Sequence, residues 1–198
     1  MEKSGTKERL LESTLKLISG KGYLGATTRE IAREAGVTEL TLFRHFGSKE
    51  RLFEEVLNRY TFLPRLRQLL PELEGLASEE ALRTVGIRFF ETLKERKSLV
   101  RIMLSEMNIY PEKIRMVHEK FIDDLIQTLA DYFGTLQPRG KLGRSSHKTV
   151  ARAFLGMVFS YFQAEEIVKE RDVTKREMEN IIGEFVDIFV HGTMKRYF

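Results

Sequence analysis

A chain of 198 residues, 42% hydrophobic and 31% charged, has the length and composition to bury a core, in one large domain or two small ones. It has no cysteine, which excludes disulfides, thiol nucleophiles and thiolate metal sites together. No apolar run approaches the ~18 residues of a spanning helix, and the Lys/Glu-rich start lacks a signal peptide's apolar stretch, so the expectation is a cytoplasmic chain without a membrane partner.

Residues 6–21 read as a first helix, with Leu10, Leu11, Leu15, Leu17 and Ile18 on its apolar face and Gly22 at its end. Thr27 followed three residues later by Glu30 is a capping box, each side chain bonding the other's free backbone N–H. Ile31, Ala32 and Ala35 give the next helix one apolar face, and Gly36 stops it because glycine takes positive φ without a Cβ clash. Thr38 caps a third short helix, with Leu42 inward and Phe46 near its end. Small Ala32 and the Gly36 turn let two helices cross steeply. Facing outward are Thr28, Arg29, Thr38, Glu39, Thr41, Arg44, His45 and Lys49. Hydroxyls and cations on a short exposed helix suit a groove of DNA better than a core. Residues 1–60 carry 11 Lys/Arg against 9 Asp/Glu, so the signal lies in the clustering of Lys21, Arg29, Arg44, His45 and Lys49 rather than in net charge.

Gly22-Tyr23, Thr27, Ile31-Ala32, Ala35-Gly36-Val37, Thr41-Leu42-Phe43, His45-Phe46 and Ser48-Lys49-Glu50 together make the stretch 20–57 resemble the DNA-binding domain of the tetracycline-repressor-like (TetR) family of bacterial and archaeal regulators. The likeness covers about the first quarter of the chain. It implies a recognition helix, Thr38 to Phe46, in the major groove of a palindromic double-stranded operator. Thr38 and Thr41 would bond base edges or phosphates, Arg44 a phosphate or guanine, and Glu39 a cytosine. Thr27, Thr28 and Arg29 before that helix, with His45 and Lys49 after it, would hold phosphates, and Leu40 and Phe43 complete the expected contact set. Phe43 departs from the family's usual Tyr and can only pack against sugar or a thymine methyl. Glu39 and Leu40 also make the helix start less polar-cationic than is common in the family.

Ser48 caps a fourth helix carrying Leu52, Phe53, Val56 and Leu57 to about Phe62, where Pro64 is expected to disturb it. Residues 1–50 are thus read as the DNA-binding domain, 49–62 as a connector, and 63–198 as a larger helical domain. In the latter a helix begins at Ser78, a short one covers Leu99 to Met107, and a long one runs from Ile114 to Phe133 with Gly134 as terminator. Residues 134–146 read as a loop. Helices follow at 148–168 and at 175–195, the latter opened by a second capping box, Thr174 with Glu177. The expected class is all-α with about nine helices.

No catalytic constellation is present. Gly134 to Lys141 has the wrong spacing for a phosphate-binding loop, and Leu142 stands where a Ser or Thr would hold magnesium. The four histidines lack metal-ligand spacing, Asp123 and Asp124 point about 100° apart, and no cofactor is implied. Phe89, Met103, Met107, Met116, Phe121, Phe159 and Phe162 could line a cavity for an apolar ligand. The apolar girth of the last two helices marks Phe154, Met157, Val158, Tyr161, Ile181, Phe185, Ile188 and Phe189 as a dimer face, and the resemblance implies a four-helix bundle there. The reading is a homodimeric, ligand-responsive transcriptional regulator and not an enzyme: a repressor released by a small apolar or amphiphilic effector. The alternatives are a constitutive regulator without effector and an all-α enzyme or carrier.

Overall fold

The computed structural model describes residues 5–136 and 146–191. Among them are ten α-helices and no strand: α1 (Thr6–Gly25), α2 (Thr28–Glu34), α3 (Glu39–Phe46), α4 (Lys49–Tyr60), α5 (Phe62–Leu69), α6 (Ser78–Glu95), α7 (Lys97–Glu106), α8 (Glu112–Leu136), α9 (His147–Phe162) and α10 (Lys175–His191). Among the described residues no helix is long and apolar enough to cross a membrane. The loop expected at 134–146 and the end of the helix expected at 175–195 lie largely outside the described residues.

Two packing units divide the chain, and the first joins residues 1–61 to residues 96–123. Its core is Leu10, Leu11, Ile18, Tyr23, Ile31, Ala32, Leu42, Phe46, Leu52, Phe53, Val56 and Leu57, closed by Leu99, Met103, Tyr110 and Ile114. The first four helices therefore share their core with α7 and the start of α8, a segment expected to belong with the C-terminal half. α1 does not stop at Gly22. It breaks there, with φ 79° and ψ 169°, and resumes to Gly25.

The second unit, residues 62–95 and 124–198, packs α6 against α5, α9 and α10. Pro64, expected to break a helix, instead sits in the first turn of α5, where a backbone N–H has no intrahelical partner to lose. Leu63, Leu66 and Leu69 bury one face of that helix, and a 3₁₀ turn, Leu70–Leu73, continues it. Gly134 does not end α8, which runs on to Leu136. The aromatic core includes an edge-to-face pair, Phe90 and Phe162, at 5.6 Å, and another, Phe154 and Phe189, at 5.3 Å.

α9 passes into a π-helical turn, Gln163–Val168, which shifts the register and turns two acids inward. Glu166, 1% exposed, accepts hydrogen bonds from the Val173 backbone N–H at 2.8 Å and faces Lys94 Nζ at 3.2 Å. Glu165 takes Lys169 and Arg171. This network leads the chain into α10, whose Thr174–Glu177 capping box is formed as expected.

Gly86 marks the closest approach in this unit. A Cβ there would lie 2.8 Å from Ile182 Cγ2 and 3.3 Å from the Phe154 ring, and a β-branched side chain in a helix strongly prefers one χ1 rotamer, so Ile182 yields at a cost. Gly86→Ala gains about 1 kcal/mol of helix propensity but overpacks a tight core at about 1–3 kcal/mol. A lowered Tm is expected, and a raised one in thermal denaturation would show that the helices part freely.

Candidate nucleic-acid interface

The α2–α3 turn is built by local chemistry. The Thr27 hydroxyl accepts from the Glu30 N–H while Glu30 Oε2 accepts from the Thr27 N–H, completing the capping box. Lys21 bonds the other Glu30 oxygen at 2.8 Å, and these bonds, the one from Lys21 foremost, lower the Glu30 carboxyl pKa to about 2. Gly36 takes φ 67°, so that the Val37 N–H reaches back to the Ala32 carbonyl at 3.0 Å. Arg9 Nε, on α1, donates to the Ala35 carbonyl at 3.1 Å and holds the turn against the first helix. Thr38 caps α3 through the Thr41 N–H, and the two hydroxyls lie 2.9 Å apart. Leu42 and Phe46 are buried beneath.

Opposite that buried edge α3 presents Leu40, 79% exposed, Phe43, 42% exposed, and the exposed side chains of Arg44 and His45. Thr38 and, at the start of α2, Thr27 and Arg29 are exposed as well; Thr41, Thr28 and Glu39 are partly so. Glu39 is already engaged, accepting a hydrogen bond from the Thr28 hydroxyl. These ten of the eleven expected residues are thus exposed or partly exposed.

Lys49 is the departure. Expected to hold a phosphate, it donates to the Tyr23 carbonyl and lies 4.2 Å over the Tyr23 ring. Half-burial lowers its pKa, with the charges of Glu50 and Glu106 opposing. The same residue is held from its other side: the Tyr23 N–H donates to Glu106 Oε2 at 2.8 Å. That approach depends on Gly22, because a Cβ there would stand 1.8 Å from Glu106 Oε1. The Tyr110 hydroxyl is buried beside Glu106, and burial, then the Glu106 charge, raises its pKa. Glu106 was invisible to sequence reasoning because its partner lies 83 residues away.

Residues 10–56 match the sequence model described as bacterial regulatory proteins, tetR family, and residues 80–192 match that of the AefR-like transcriptional repressor C-terminal domain. The chain belongs to the TetR family. As a TetR-family transcriptional regulator it carries its DNA-binding domain on α1 to α4. An HTH-type transcriptional regulator of Bacillus subtilis, YvkB, uncharacterised in function, is 29% identical over 187 residues, 94% of this chain and 96% of its own. A TetR-family structure from Syntrophomonas wolfei superposes with a TM-score of 0.81 at 18% identity, covering 96% of this chain and 97% of the other. The transcriptional regulator FadR of Bacillus subtilis, solved with stearoyl-CoA, superposes with a TM-score of 0.70 at 16% identity, covering 94% and 98%.

The expected effector-lining residues divide between the two units. Phe89 and Phe162 are buried in the second, where Phe89 packs on Phe62 at 5.0 Å, and Phe159 is half-buried there. Met103 is buried in the first and Phe121 partly so. Met116, 61% exposed, faces outward because Ile114, Val117 and Phe121 take the inward stripe of α8, and Met107, just after α7, is 38% exposed. Of the expected dimer face, Phe154 and Val158 are fully buried within the chain's own core, the Phe154 ring lying against α6 at Gly86. Met157, Tyr161, Ile181, Phe185, Ile188 and Phe189 are partly or wholly exposed. Among the described residues no group of His, Cys, Asp and Glu could hold a metal.

The geometry separates two cations that look alike in sequence. Lys49→Ala removes a charged hydrogen bond and a cation–π contact and should destabilise the first unit by about 1–3 kcal/mol. Arg44→Ala, on an exposed face, should leave Tm nearly unchanged. Equal Tm values for the two variants would mean that Lys49 is not structural.

Proposed function

We propose that this TetR-family chain acts as a homodimeric repressor, released from a palindromic operator by a small amphiphilic effector. The observation that carries the reading is the exposed face of α3, a short helix capped, turned and backed so that only its outer residues are presented. Arg29, Arg44 and His45 take phosphates or guanine edges, and the N-terminal N–H groups of α2 and α4 add neutral donors. One such helix reads too few bases to select a site. Two, placed roughly 34–36 Å apart by a two-fold axis, read a palindrome.

The half-exposed apolar side chains of α9 and α10 support the dimer. Tyr161 and Phe185 meet edge to face at 6.0 Å, and Ile188 beside them is 43% exposed. An apolar strip of this kind on two long helices suits a four-helix bundle formed with a second copy. Ile188→Glu should leave the protomer folded and yield monomers. Sedimentation of the variant as a dimer of roughly twice 23.1 kDa would place the interface elsewhere.

The effector reading draws on the stearoyl-CoA held by the FadR neighbour, together with the Phe-rich core of the second unit. The chain crosses between its two units at 61–62, 95–96 and 123–124, so a change in α5, α6 or α8 reaches the reading domain through the backbone. An effector that binds the two head spacings unequally couples to DNA by about 1–3 kcal/mol, or 5–150-fold in affinity. Long-chain acyl-CoA should raise Tm and weaken operator binding together. If amphiphiles stabilise the protein while operator affinity stays constant, the constitutive alternative replaces this one.

A further inference from the structure

The recognition face of α3 has an unusual chemical balance. Leu40, Phe43 and Arg44 stand at i, i+3 and i+4 and so share one exposed surface of the helix. Two of the three are apolar, and Leu40 is the most exposed large apolar side chain of the described residues. The polar side chains around them already serve the fold. Thr38 caps the helix and shares a hydrogen bond with Thr41, and Glu39 accepts from Thr28. The helix start therefore offers a base edge two hydroxyls and one carboxylate, each already engaged within the protein.

The major groove offers one apolar base feature, the 5-methyl group of thymine. We propose that Leu40 and Phe43 read thymine methyl groups, making the half-site thymine-dependent at the positions beneath them, with Arg44 taking the adjoining guanine edge or phosphate. This rests on α3 being the DNA-reading helix. Phe43, lacking a hydroxyl, adds contact area without a competing phosphate bond. Neither side chain supports the protein's own core, so both can be altered without unfolding it.

Deoxyuridine isolates the claim, because it removes the methyl group and leaves every hydrogen-bonding atom of the base in place. Binding sequences are first enriched from a random-core duplex pool at fixed salt, and each thymine of the selected site is then replaced singly by deoxyuridine. At one or two positions per half-site, loss of a buried methyl should weaken wild-type binding about four-fold, and about fifteen-fold when both half-sites are changed. Leu40→Ala, with unchanged Tm, should bind the thymine and deoxyuridine duplexes equally at its position, and Phe43→Ala likewise at its own. A selected half-site bound tightly but indifferent to every deoxyuridine replacement overturns the proposal and leaves operator binding standing. So does a thymine preference that survives in both variants. A pool that yields no enriched sequence overturns the reading of α3 itself, and the methyl proposal with it.

Discussion

The reading domain depends on how one residue's backbone is satisfied. At Gly22 helix α1 breaks, and the amide of Tyr23 loses the carbonyl it would have had in a continuous helix. A buried N–H without a partner costs about 1–3 kcal/mol. Glu106, the last residue of α7, supplies the acceptor, and it can approach because Gly22 has no Cβ. The carbonyl of the same residue takes Lys49, the first residue of α4. The Tyr23 ring lies between, 5.1 Å from Phe53 and 6.2 Å from Tyr110. One residue thereby joins α1, α4 and α7. The start of α4 follows α3 across only Gly47 and Ser48, so this junction also bears on where α3 ends.

The backbone at Gly22 explains why the junction is specific. Its φ and ψ fall in a region that only glycine occupies readily, and any side chain there would also displace the Glu106 carboxylate. Two independent constraints meet at one position. Burial and the Glu50 charge raise the pKa of Tyr23, so its ring stays neutral beneath the lysine. The interaction over it is that of an ammonium with a π face rather than an ion pair.

What was legible in the sequence was local. The caps at Thr27, Thr38, Ser48 and Thr174 each satisfy a donor three residues away, and all four form. Gly36 was readable for the same reason, as a turn needing positive φ. The misreadings arose where distant packing decided. Pro64 looked like a helix breaker, yet it opens α5, because position within the helix and not residue type sets its cost. Met116 looked like cavity lining until the stripe of Ile114, Val117 and Phe121 turned it outward. Phe154 and Val158 lie inside because α6 approaches α9 closely at Gly86. Glu165 and Glu166 face inward only because a π-helical turn adds a residue to the register, and nothing in their spacing announces it.

These placements bear on how the domain divides affinity from selectivity. Of the cations clustered around the motif, Lys21 is paired with Glu30 and Lys49 is held on Tyr23. Arg29, Arg44 and His45 are left exposed. Each phosphate neutralised contributes about −0.9 to the slope of log affinity against log salt, so a cation tied up within the fold would add nothing to that slope. Selectivity is a ratio between specific and non-specific binding, and a small electrostatic contribution favours it from the denominator. In the proposed dimer the numerator would rest on contacts that salt does not screen, which are shape, the spacing of two heads, and apolar contact with base edges. A reading helix whose most exposed side chain is a leucine is consistent with that division, since burial of apolar surface is as favourable on the right sequence at high salt as at low.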